Sequence, residues 1–191
     1  MAEKCLPPRG ACDCHAHVFG PLDRFPFIAT RSYTPAERLA SDYRALLDSL
    51  GIDRGVIVQP SVFGTDNRAT LNAIAELGES FRGVAVLPPD IDDDLLSECA
   101  AGGIRGVRLS DLTTGGVSLR HLETMAASAG ETGPASGSGG GSRCRMAAIV
   151  AEAFSPANAR RPASISYRIE PSAKISDCGV AGRPSICSGA M

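Results

Sequence analysis

No stretch of this 191-residue chain stays apolar for the roughly 20 residues that a membrane-spanning helix needs, so a bilayer partner is not expected. The opening MAEKCLPPRG lacks the apolar core of a secretory signal, which argues against export. A formal net charge of only −2 supplies no global field to favour nucleic acid or an anionic membrane surface. The seven cysteines are odd in number and irregularly spaced. That disfavours a disulfide framework and suits a reducing cytoplasm. No G-x-G-x-x-G follows the first apolar segment, which weighs against a dinucleotide-binding fold.

Leucine is missing from the last third of the chain. All fifteen leucines lie at or before Leu122. From Ser128 onward Ser, Gly, Ala and Pro make up 37 of 64 residues, and GPASGSGGGSRCR (133–145) reads as a flexible linker. Charge divides at the same place: 12 basic and 17 acidic residues up to Ala127, then 7 and 4 beyond it. A leucine-free, aromatic-poor segment buries too little apolar area to offset its ordering entropy. The boundary therefore separates a domain at 10–127 from an irregular, disordered tail at 128–191. The tail is either a natural low-complexity extension or translation in a shifted frame of a GC-rich gene, and its aperiodic Arg, Ala, Gly, Pro, Ser and Cys favour the shifted frame.

What is present before that boundary is regular. With 43% hydrophobic and 21% charged residues overall, the chain has the composition of a globular protein with a core. ACDCHAHVF (11–19) alternates like a strand. TPAERLASDYRALLDSLG (34–51) predicts a helix with Thr34 as N-cap, Pro35 and Glu37 completing a capping box, and Gly51 stopping it. DRGVIVQPS (53–61) predicts a strand, TDNRATLNAIAELGES (65–80) a helix, and FRGVAVLPP (81–89) a strand. DIDDDLLSECAAGG (90–103) predicts a helix whose first-turn acids, Asp92, Asp93 and Asp94, suit the dipole rather than a metal. IRGVRLS (104–110) is a fourth strand and VSLRHLETMAA (117–127) a fourth helix, with His121 on its surface. These are four β-α units with strands apolar throughout, the mark of a parallel sheet covered by helices. Both a doubly wound sheet and half of a (β/α)8 barrel fit that pattern.

Chemistry concentrates in the first strand. Strict alternation puts Asp13, His15 and His17 on one face and Cys12, Cys14 and Ala16 on the other. A tetrahedral Cys-His knot would need both faces, so the cysteines are expected to pack under the helices as small hydrophobes. The two histidines are expected at the C-terminal end of the strand, where (β/α)8 enzymes keep their chemistry.

CDCHAHVFG, FPF followed by RSYTPAE, GVIVQPSVFGTDN and GIRGVRL together resemble the amidohydrolase-related (amidohydrolase 2) family. The resemblance is strongest to the 2-pyrone-4,6-dicarboxylate lactonase-like branch of these TIM-barrel, metal-dependent hydrolases. It covers roughly residues 10–125, the first half of a member. The resemblance implies a partial (β/α)8 barrel and a cytoplasmic hydrolase of a small anionic lactone or carboxylated ring, in aromatic-compound degradation. It assigns His15 and His17 to the family's His-x-His: they polarise substrate without metal in the lactonase-like branch and hold zinc in decarboxylase relatives. It places Tyr33 and Ser61 along the substrate pocket. Arg108 becomes the residue that grips a substrate carboxylate, for which a planar bidentate donor is suited. Arg105, out of phase with Arg108, should face the helices. A second arginine expected in DLTTGG is missing, as is the aspartate expected to activate water at the end of an eighth strand; Asp177 has no helical unit around it. The resemblance leaves three readings of function: the anionic-lactone hydrolase, a zinc-dependent decarboxylase or amidohydrolase, and a truncated, catalytically dead product with residual ligand binding.

Overall fold

The tripeptide Arg-Gly-Val occurs at 54–56, 82–84 and 105–107, and each copy lies within a strand. The computed structural model describes residues 7–130, 148–153 and 163–168. Strand β1 spans Cys12–Ala16, β2 Arg54–Val58, β3 Phe81–Ala85 and β4 Ile104–Ser110. They pair in parallel in chain order, with helices α1 (Ala40–Leu50), α2 (Arg68–Leu77) and α3 (Asp93–Ala101) as the crossovers. A fourth helix, α4, spans Leu122–Gly130. The strand order never reverses among these units, as a doubly wound sheet would require. It is the order of a partial (β/α)8 barrel. Among the described residues no helix is long and apolar enough to cross a membrane.

Register explains the repeated glycine. Gly55 pairs with Phe81, Ile57 with Gly83, and Gly83 with Ile104, so these residues share the helix-facing side. Ile57, Phe81, Ile104, Val107 and Leu109 bury there against Tyr43 and Leu47 of α1, Ile74 and Leu77 of α2, and Leu96 and Cys99 of α3. A Cβ on Gly83 would run into Ile74 and Ile104, so the residue is small because α2 sits directly on the strand. On the opposite side of the sheet Val58 and Val84 are buried as well.

Helix starts moved where tertiary contacts compete. The expected box at Thr34 and Glu37 does not cap α1. Thr34 Oγ1 instead accepts from Arg31 Nε at 2.9 Å, and Glu37 accepts from the Leu22 amide at 2.8 Å. The Phe19–Arg38 bridge holds the chain extended to residue 38, so α1 begins at Ala40, with Asp42 accepting from the Leu39 amide at 2.9 Å. At α3 the acidic run lies at the helix start as expected, with Asp93 and Asp94 in the first turn; Asp92, read as a third first-turn acid, is instead the N-cap, accepting from Leu95 at 2.8 Å. Leu119–His121 forms a short 3-10 turn, so α4 starts five residues later than the pattern at 117 implies. His121 is in that turn, its Nε2 accepting from Arg120 Nε at 3.0 Å.

Most of the expected irregular tail, including the linker at 133–145, lies outside the described residues. Two segments within it depart from irregularity. Ala148–Ala153 forms β5, parallel to β4, and Ala163–Arg168 forms β6, antiparallel to β5. Both contain β-branched residues, and the open edge of β4 offers AIVAEA a ladder that sequence pattern alone does not reveal.

Two outcomes follow from this packing. Gly83→Ala should cost about 1–3 kcal/mol of stability by overpacking the α2 contact, read as a lower denaturation midpoint in urea. Burial, followed by the hydrogen bond to Asp13, pushes the Tyr43 phenol well above its ordinary value of 10.0. The folded state therefore keeps a proton that the unfolded chain releases. The stability this contributes is complete below about pH 10 and is lost as pH rises further. In a urea series across that range, Tyr43→Phe should be weaker at neutral pH and should show a shallower alkaline decline.

Candidate active site

Beyond Ala16 the chain carries His17 past the end of β1, and the two imidazoles meet edge to face with ring centroids 5.0 Å apart. His17 Nδ1 lies 2.7 Å from the carbonyl oxygen of Val58. A carbonyl only accepts, so Nδ1 carries the proton, and the neutral ring keeps its lone pair on Nε2. His15 is exposed and His17 half-buried. These two histidines are together, as the alternation implied.

Asp13 and the cysteines are not where alternation put them. The β1–β2 register shifts between Asp13 and Ala16, so three steps along β1 match two along β2. This bulge reverses the phase of the strand. Asp13 consequently faces α1, where its Oδ2 accepts from the Tyr43 hydroxyl at 2.9 Å and its Oδ1 from the His15 amide at 3.1 Å. Cys14, expected beneath the helices, is exposed, and Cys12 is only partly buried.

The end of β2 gathers the remaining groups. Arg108, projecting from β4, donates from Nη1 to the carbonyl of Gln59 at 2.8 Å. Val58 and Gln59 are consecutive, so two neighbouring carbonyls of one strand tether His17 from β1 and Arg108 from β4. Ser61 follows two residues later at the start of a short 3-10 turn and is 3% exposed. Arg105, as expected, points the other way: its Nη1 donates to Ala100 O at the end of α3 at 2.6 Å. Tyr33 is carried by the segment between β1 and α1, is 39% exposed, and makes no hydrogen bond among the described residues.

Sequence reasoning missed the residues that hold this loop. Gln59 is fully buried; its Nε2 donates to Asp66 O at 2.8 Å and Gly64 O at 3.3 Å, and its Oε1 accepts from the Thr70 hydroxyl. Asn67 pairs with the backbone of Val86 as a strand would, donating to its carbonyl at 2.8 Å and accepting from its amide at 3.0 Å. The segment 60–67 is thereby fastened to the ends of β2 and β3. Gly115, from the β4–α4 loop, lies so close to Ser61 O that a Cβ would collide with it. A signal for Gln59 was available: an amide in an otherwise apolar strand must find partners when buried.

Zinc catalysis uses three protein donors and an open position. Among the described residues the two imidazoles are joined by no third His, Cys, Asp or Glu, and Asp13 is committed to Tyr43. The described residues do not make up a zinc site.

The fold and this arrangement place the chain among the hydrolytic β/α barrels. The chain belongs to the amidohydrolase family (Amidohydro_2), whose model matches residues 12–154. It is 44% identical over 103 residues to the 2-pyrone-4,6-dicarboxylate hydrolase of Comamonas testosteroni, an alignment covering 54% of this chain and 34% of that protein. It is 39% identical over 105 residues to the 4-sulfomuconolactone hydrolase of Hydrogenophaga intermedia, covering 55% and 34%. A probable 2-pyrone-4,6-dicarboxylic acid hydrolase of Acinetobacter baumannii, solved with citric acid bound, superposes with a TM-score of 0.53 at 32% identity, covering 62% of this chain and 46% of that one. The matched region thus spans about a third of the length of the curated relatives.

Asn67→Ala should leave the Val86 amide and carbonyl without partners in a buried position, at a cost of about 1–3 kcal/mol. Chemical denaturation monitored by far-UV circular dichroism checks this.

Proposed function

We propose that this chain carries the substrate-gripping part of a hydrolase site for a small anionic lactone or carboxylated ring. The observation that carries the reading is the tethering of His17 and Arg108 to the adjacent carbonyls of Val58 and Gln59. It holds an imidazole and a guanidinium at one strand end, where barrel enzymes bind their substrates. The names of both curated relatives denote anionic lactones, and citrate in the Acinetobacter neighbour is a polycarboxylate, so the ligand chemistry agrees.

In this reading Arg108 takes a ring carboxylate. His17, with Nδ1 engaged by Val58, faces the lactone carbonyl through Nε2; once protonated there, it donates a hydrogen bond to the oxygen on which charge develops. His15 flanks the same oxygen, and Ser61 and Tyr33 line the ligand. Water then adds to the carbonyl carbon and the ring C–O bond breaks, giving a carboxylate and an enol.

Water must be activated by a general base, which the family resemblance assigns to an aspartate at the end of an eighth strand. The described residues hold six strands, the last antiparallel. In this proposal the described residues bind and polarise the ligand, and the base that activates water is not among them.

Calorimetric titration with 2-pyrone-4,6-dicarboxylate tests the reading. Arg108→Ala should weaken binding about 10- to 100-fold, the range expected for a lost charge-assisted hydrogen bond. An affinity that this substitution leaves untouched removes Arg108 from the site, and the proposal with it.

A further inference from the structure

The histidine pair depends on a carboxylate that points away from it. Asp13 has its two oxygens on different elements: Oδ1 accepts from the amide of His15, two residues on, and Oδ2 from the hydroxyl of Tyr43 on α1. The first bond is the local side-chain-to-backbone closure that Asp favours in turns. It spans the place where the β1 register slips. The second fastens that closure to the helix layer. Tyr43 is itself fixed, 8% exposed and edge-on to Phe81 at 6.2 Å between ring centroids. Gly55, the register partner of Asp13, has no side chain where the hydroxyl lies; a Cβ there would be 2.7 Å from the Tyr43 oxygen. Two hydrogen bonds, one from β1 and one from α1, thus converge on one carboxylate, with Gly55 leaving room for the hydroxyl.

The bulge decides where His15 goes. Asp13 pairs with Gly55 and Ala16 with Ile57, both on the helix-facing side. In a regular strand Asp13 and Ala16, three apart, would face opposite ways. The extra residue lets both face the helices, leaving His15, just before Ala16, and His17, just after it, on the other side. Without the bulge, Ala16 and Asp13 could not both keep their observed partners: either the acid would lose Tyr43, or the two imidazoles would turn from the face opposite the helices and His17 would lose the Val58 carbonyl.

We propose that Asp13, held by Tyr43, is the positioning residue of the histidine pair: its carboxylate fixes the β1 bulge that sets the pair on the face opposite the helices and brings His17 to the Val58 carbonyl. Its consequence for turnover rests on the hydrolase reading above, whereas its structural content does not. Asp13 touches no substrate in this scheme and acts only through the backbone it holds.

The chain has only three histidines, so the imidazole signals of His15, His17 and His121 can be assigned separately by nuclear magnetic resonance. In the unliganded full chain, the signal of a slowly exchanging Nδ1 proton on His17, held by the Val58 carbonyl, is expected. Asp13→Ala should abolish it while leaving His121 unmoved. Asp13→Asn, which keeps an oxygen for the His15 amide, should restore it. Tyr43→Phe, which keeps the ring and removes only the hydroxyl, should weaken it, and this variant decides the matter alone if Asp13→Ala does not fold. A His17 signal of unchanged intensity and exchange rate in the folded variants overturns the proposal. Adding 2-pyrone-4,6-dicarboxylate to the unsubstituted chain separates the two claims: ligand that shifts neither His15 nor His17 refutes the hydrolase reading and leaves the positioning role standing.

Discussion

Everything chemical in this chain hangs on the backbone at the end of β2. The carbonyls of Val58 and Gln59 each take a side chain, from opposite directions: His17 from the preceding strand, Arg108 from β4 two strands away. A backbone carbonyl is a fixed acceptor that neither titrates nor changes rotamer. Anchoring one nitrogen of each functional group to such an acceptor sets its orientation. The strand end is in turn rigid because Gln59 and Asn67 spend their amides on loop and strand backbone, so that Ser61 is held by the same network.

The first strand shows how one extra residue reorganises a surface. Alternation by two is the strongest rule for reading a strand, and it placed His15 with His17 correctly. It failed for Asp13 because it assumes an unbroken register. The bulge between Asp13 and Ala16 lets an acid and an alanine, three apart, both face the helices. The acid meets a tyrosine there and the alanine joins the apolar core. An irregularity beside a functional group is a common way for a sheet to re-aim a side chain.

A barrel distributes its chemistry over the ends of many strands, so the four β-α units among the described residues bear part of a constellation. In the proposed division, the first four strands supply the groups that bind and polarise a ligand, and later strands supply the base that activates water. Binding and water activation are thus separable by position along the chain. The zinc alternative fares differently: with Asp13 facing α1, the described end of the sheet offers two imidazoles and no third donor.

The sequence by itself determined the β-α alternation, the parallel sheet, the acidic start of α3, and the pairing of His15 with His17, because each follows from local periodicity or from a helix start that needs only its own neighbours. It also marked Arg108 as facing opposite to Arg105, through their spacing on one strand. Only the tertiary structure decided the bulge at β1, the late start of α1, and the β5 ladder on the edge of β4. The roles of Gln59, Asn67 and Tyr43 belong with these. Each depends on a partner far away in the chain: Phe19 for Arg38, Gly55 and Tyr43 for Asp13, Val86 for Asn67. Contacts between distant segments override local preference wherever burial or a backbone hydrogen bond is worth more than a cap, and no periodicity in the sequence records them.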